Sequence, residues 1–228
     1  MSSEHGAVVN GMLWALSSQE ELLREVLGHV LGKEAASRMA FDLLKRFGSL
    51  PDTLSASSHR LQEVDGVTKE VTDLLKSVKK IAAGMARSRI KLEKPVLSCF
   101  NELLDYLHVT MAFEQVEQTR VLFVDKKRRL VADEVLHTGT IDHSPVYPRE
   151  VLRRALELSA SFLILVHNHP SGDPQPSAAD LRLTRDLADI AAPLQIYVDD
   201  HIIIGKSGHL SFRASGLFRP KEGAALRG

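Results

Sequence analysis

The chain has 228 residues, with 29 Lys and Arg against 29 Asp and Glu, and is 44% hydrophobic and 25% charged. This is the make-up of an ordinary soluble protein, long enough for one medium domain plus a small one and able to bury a core easily. The longest apolar run falls far short of the roughly 20 residues a membrane helix needs, the start MSSEHGAVVN lacks the features of a secretory signal, and Cys99 stands alone, so the expected compartment is the cytoplasm and no disulfide framework is expected.

Residues 1–16 read as a flexible N-terminus and 17–94 as a small helical domain. Apolar residues recur at helical spacing from Glu20 to Leu31, from Ala35 to Phe47 and from Lys69 to Ala86, separated by Gly32, by Gly48-Ser49-Leu50-Pro51 and by Asp65-Gly66. Lys76, Lys79, Lys80, Arg87, Arg89 and Lys91 form a basic run that suits either a solvated helix face or a weak contact with nucleic acid. The zero net charge hides an asymmetry. Residues 60–94 hold nine Lys and Arg against five Asp and Glu, whereas 97–204 hold ten against sixteen. Phosphate neutralisation needs cations, so the N-terminal part is the better candidate for contact with DNA.

Lys91-Leu92-Glu93-Lys94-Pro95 reads as a linker in which Pro95 stops the preceding helix. Residues 97–218 follow as a second domain, and 219–228 as a flexible C-terminus. Its expected elements are a helix near 97–109, strands near 119–125 and 128–137, a helix near 148–160, a strand at 162–166, a helix opening at Ser177, and strands near 194–205 and 209–213. Helices alternating with strands predict a layered α/β domain on a mixed sheet.

The stretch HNHPSGDPQPSAAD carries the chemistry. Phe162-Leu163-Ile164-Leu165-Val166 predicts a buried strand that delivers His167 and His169, and residues two apart in extended chain point to one side. Pro170 and the loop after it end the strand. Ser177 then takes the N-cap of a helix and Asp180 its third position, which turns the carboxylate back towards the imidazoles. Two His and one carboxylate with an open fourth position suit a catalytic zinc ion. With ten His in 228 residues, chance alone gives roughly 0.4 His-x-His pairs, and requiring Ser and Asp at these offsets lowers that to about two in a thousand. The spacing is therefore the signal. Asp173, in the loop, is the rival third ligand. Asp199-Asp200-His201 is a poor second site, because adjacent strand residues face opposite ways.

His-x-His, seven residues, then Ser-x-x-Asp resembles the motif of the JAMM (MPN-type) zinc metalloproteases, and the fuller HNHPSGDPQPS resembles the bacterial RadC family. Arg129-Leu130-Val131-Ala132-Asp133-Glu134-Val135-Leu136, Gly139-Thr140-Ile141-Asp142, Val146-Tyr147-Pro148-Arg149-Glu150 and Asp200-His201-Ile202-Ile203-Ile204-Gly205 extend the likeness over roughly 97–218, with a looser one before it. The resemblance implies an MPN mixed-sheet domain with helices packed on it, preceded by a small all-α helix-hairpin-helix-like domain. It implies one Zn2+ per chain held by His167, His169 and Asp180, with Ser177 assisting the tetrahedral intermediate and Glu134 as the glutamate that activates water.

Glu134 has separate support if Leu130, Ala132, Glu134 and Leu136 alternate onto one mainly apolar face, which would raise its pKa. His137, three residues on, then belongs to the opposite face. Leu61-Gln62-Glu63-Val64-Asp65-Gly66-Val67-Thr68 resembles the family's hairpin, but Thr68 replaces a Gly and also suits a helix cap. The expected function is a zinc metallopeptidase or isopeptidase acting on a peptide or protein, with weak DNA binding confined to the helical domain. The alternative is a RadC-type DNA-repair-associated DNA-binding or nuclease factor.

Overall fold

The computed structural model describes residues 18–139 and 147–220. The segment 1–16, almost all of 219–228, and Thr140, Ile141, Asp142 and Val146 lie outside the described residues. Two compact units divide at Ala82/Ala83.

The first unit holds α1 (18–27), α2 (Lys33–Phe47), α3 (Leu50–Ser55), α4 (Ser58–Gln62) and the start of α5 (Lys69–Ser88). Ala36, Met39, Ala40 and Leu43 lie at i, i+3, i+4 and i+7 of α2 and form its buried stripe. They join Leu23, Leu27, Leu61, Val71 and Leu75 in one apolar cluster. Gly48-Ser49-Leu50-Pro51, expected only to separate helices, instead starts one. Ser49 Oγ accepts from the Asp52 N–H at 3.1 Å, and Pro51 occupies the first turn, where its missing N–H costs nothing. Thr68 Oγ1 accepts from the Val71 N–H at 3.4 Å at the head of α5. Lys76 donates to the Leu54 and Ala56 carbonyls and Lys79 to Ser55 Oγ, so part of the basic run turns onto the end of α3.

The second unit contains α6 (Phe100–Met111), β1 (Glu117–Val124), β2 (Leu130–Gly139), α7 (Pro148–Glu157), β3 (Phe162–Asn168), α8 (Ala178–Ala191), β4 (Tyr197–Gly205) and β5 (Gly208–Ser211). The sheet runs β2-β1-β3-β4-β5, and only β3–β4 is parallel, joined through α8. Every residue of β3 is buried, as its unbroken apolar run requires of a strand covered on both faces. Leu122, Val124, Ile164, Val166, Ile202 and Ile204 pack in one cluster with Leu103 and Leu107 of α6. Val121, Phe123, Leu163, Leu165 and Val198 pack in another, with Val151 of α7 and Leu187 of α8. The part of α5 beyond Ala82 contributes Ala86 to the α6 side, as does Ile90.

One polar cluster sits on the α6 side. Arg120 Nη1 donates to both oxygens of Asp133 at 2.9 and 2.8 Å and to Tyr106 Oη at 2.8 Å, and Tyr106 Oη donates to Asp133 Oδ2 at 2.6 Å. The two charges lie almost out of water, which is tolerable because each is hydrogen-bonded to the other. Burial, followed by the bond to Asp133, pushes the Tyr106 hydroxyl above the ordinary tyrosine range.

Candidate metal centre

His167 is the last inward position of the series Leu163, Leu165, His167, and at 2% exposure it is embedded in the layer between the sheet and α8. His169 follows just beyond the strand, where its N–H bonds to the Ile204 carbonyl at 2.9 Å. The loop that carries it is pressed against β4. A Cβ on Gly205 would lie 2.3 Å from the Gly172 carbonyl oxygen, so only glycine fits there. Asp180 is delivered by the head of α8 through a complete capping box. Its Oδ2 accepts from both the N–H and the hydroxyl of Ser177 at 2.7 Å, and its own N–H donates to Ser177 Oγ at 3.1 Å.

One ligand atom each from His167, His169 and Asp180 lies within 4.8 Å of the others. The Nε2 atoms of the two His are 2.9 Å apart, and Asp180 Oδ1 and Oδ2 lie 3.4 Å and 3.8 Å from the first and second. Hydrogen-bond logic fixes what these atoms offer. A carbonyl only accepts, so Thr184 Oγ1 donates to Asp180 O at 2.7 Å and accepts from His201 Nδ1 at 2.6 Å. His201 Nε2 then accepts from His167 Nδ1 at 2.8 Å, and His169 Nδ1 donates to Asp173 O at 2.8 Å. Both facing Nε2 atoms are left as bare acceptors beside a carboxylate. Only a cation satisfies three converging acceptors, and tetrahedral zinc with 2.0–2.1 Å bonds to nitrogen has ligand–ligand edges of about 3.3 Å, close to these separations. The residues fit such an ion.

Burial is the main cause that pushes the His167 ring from 6.5 down to about 4, with Asp180 opposing and His169 adding. His201, wholly buried, also lies well below the ordinary range. The folded chain thus declines protons that the unfolded chain accepts near pH 6.5. Stability of chelator-treated protein should be complete above pH 6.5 and fall as the pH drops towards about 4. His167 alone accounts for a loss on the order of 3 kcal/mol over that range. Urea unfolding at the two ends measures it, and a flat profile would contradict the buried neutral imidazole.

Asp173 does not compete with Asp180 for the cluster. Its carboxylate accepts from the Gln175 N–H at 3.0 Å, and it offers His169 only its carbonyl. Glu134 also stays outside. Both its oxygens are held by Arg154 of α7 at 2.6 to 2.9 Å. The expected alternation along β2 is broken twice, because the β1–β2 register skips Val131 and again skips Leu136. Leu130 therefore packs on the α6 side while Ala132 packs on the other. The second bulge brings His137 opposite Thr119, on the face of Glu134 and not across from it. A third irregularity, between Leu163 and Ile164 in the pairing with β4, brings His201 round to His167.

Glu117 is the functional residue that periodicity missed. Thr119 pairs with His167, so continuing that antiparallel register by two places Glu117 opposite His169 on the same face. Its partly buried carboxyl is pushed above the ordinary glutamate range. Burial is the largest cause; His169 and His137 oppose the rise, and Asp180 adds to it. Glu117 thus lies within electrostatic reach of two of the three ligands. The usable signal was its place in the odd-numbered series Glu117, Thr119, Val121, Phe123.

Residues 97–217 match the profile of a RadC-like JAB domain. A UPF0758 protein of Rhodobacter capsulatus is 51% identical over 197 residues, covering 86% of this chain and 92% of that protein.

Proposed function

Because the chain belongs to the family of RadC-like JAB-domain proteins, we propose that it is a zinc-dependent hydrolase of amide bonds, peptide or isopeptide, with Glu117 as general base. The observation that carries this reading is the convergence of two bare imidazole nitrogens and the Asp180 carboxylate beside a half-buried glutamate. Zinc held by His167, His169 and Asp180 would supply Lewis acidity and bring the pKa of water from about 15.7 to near 7.

The chain's own groups do the rest. Glu117, with its affinity for protons raised by burial, accepts the proton of the attacking water and returns it to the nitrogen of the leaving amine. Ser177 is the hydroxyl donor beside the ligand carboxylate, and its proposed role is to donate to the oxyanion. The first turns of α8 add positive potential at the same place. A single ligand carboxylate suits amide hydrolysis better than the carboxylate-rich two-metal centres of nucleases. Weak DNA contact remains a proposal for the helical unit alone.

A peptide and isopeptide library incubated with zinc-loaded protein tests the reading. Cleavage should appear, stop with chelator and return with zinc, while duplex DNA stays intact. DNA cleavage without peptide cleavage would overturn it.

A further inference from the structure

Asn168 stands between the two histidines, fully buried, with its side chain turned away from them. Its Oδ1 accepts from the Gln118 N–H at 2.8 Å, and its Nδ2 donates to the carbonyls of Val116 and Glu114 at 3.2 and 3.4 Å. All three partners belong to the short connection from α6 into β1. Two of them, the Val116 carbonyl and the Gln118 N–H, flank Glu117 directly. The regular β1–β3 pairing ends at Thr119 and His167. Beyond that point the Asn168 amide takes the place of the next ladder bonds, and it offers the donor and acceptor in one planar group that the backbone on either side of Glu117 requires. An amide carried by the strand that bears His167 thereby fixes the residue opposite His169.

We propose that Asn168 is a positioning residue, which clamps the backbone before and after Glu117 and so sets that carboxylate against the His167, His169 and Asp180 cluster. The proposal rests on the assignment of Glu117 as general base. A misplacement of about 1 Å in a reacting group can cost on the order of a hundredfold in rate, so the clamp has a catalytic consequence well beyond its contribution to folding.

The test uses the full-length protein, with Asn168→Ala and Asn168→Asp. Zinc content should stay at the parental level in both, since no ligand is altered. Amide exchange at Gln118, followed by NMR with and without zinc, should accelerate about tenfold or more in Asn168→Ala. Asn168→Asp keeps the acceptor, so this amide should stay slow and part of the turnover should be recovered. Asn168→Ala should lower kcat by about 10- to 100-fold with KM little changed. In a Glu117→Gln background it should cost nothing further, because the clamp acts only through that carboxylate. Unchanged Gln118 exchange would overturn the clamp, whatever the activity. Equal losses of turnover in both backgrounds would overturn its catalytic role. Parental turnover in Glu117→Gln would remove the base assignment and the proposal with it, a result that the exchange data distinguish from failure of the clamp itself.

Discussion

Purified without chelator, the protein should carry about one zinc per chain, and His169→Ala should carry none. His169 faces the cluster through an Nε2 with no proton, because its Nδ1 proton goes to the Asp173 carbonyl. Removing the ring leaves one imidazole and one carboxylate, fewer protein ligands than the three of a catalytic zinc site. The ring is only partly buried, so the fold should survive its loss. A graded comparison sharpens the test. Thr184→Val keeps all three ligands but removes the hydroxyl that accepts from His201 and donates to Asp180 O. That change should weaken zinc by about 10- to 100-fold without abolishing it, as outer-shell losses do. Metal analysis after dialysis, supported by circular dichroism, reads both variants. Full occupancy in His169→Ala, or a metal-free parent, would remove the centre on which the functional reading depends.

The ligand set was legible because its geometry is local. His167 and His169 share a side by strand periodicity, and the Ser177–Asp180 box turns its carboxylate back within one helical turn; the structure places these three side chains together. The outer support was not legible, and the reason is bulges. One extra residue in β2 and one in β4 reverse the phase of everything after them, which is how His137 and His201 arrive on the site face. A period-two reading applied through those positions assigns each of them to the wrong side. His201 could be discounted from sequence because Asp200 precedes it. In the structure the pair does split: Asp200 binds Ser211 and the Arg213 N–H while His201 supports His167.

Element boundaries failed for chemical reasons too. Gly48-Ser49-Leu50-Pro51 contains breakers, yet Ser49 and Pro51 are also what a helix start needs, and α3 begins there. The first strand was expected to open at Thr119, since Glu and Gln are poor strand formers. It opens at Glu117, where the Asn168 side chain holds the backbone that propensity does not. Those two residues are the difference between a glutamate in a loop and one facing the metal cluster. The likeness of the segment around Glu134 to RadC proteins drew the base assignment to β2. The Arg154 fork on that carboxylate is a long-range contact, twenty residues away, that no local pattern discloses.

Glu117→Gln and Glu134→Gln separate the two assignments. Glu117→Gln preserves shape and should keep zinc and fold, but an amide cannot take the proton of the attacking water. Turnover on whichever peptide or isopeptide the library identifies should fall by about 10² to 10⁴. Glu134→Gln should stay near parental turnover, because its carboxylate is engaged by Arg154 and makes no bond to the ligand cluster among the described residues. Arg154 also retains Glu157 at 2.9 Å, so its loss of one partner does not leave it without another. The pH profile supplies a second reading. Burial raises the Glu117 carboxyl, so the acid limb of kcat/KM should lie above the ordinary glutamate range in the parent and disappear with Glu117→Gln. If Glu134→Gln instead takes the large loss and Glu117→Gln is silent, the base sits on β2 and the arrangement proposed at the start of β1 is wrong. If both variants lose zinc, neither residue is a base, and both carboxylates serve to hold the metal.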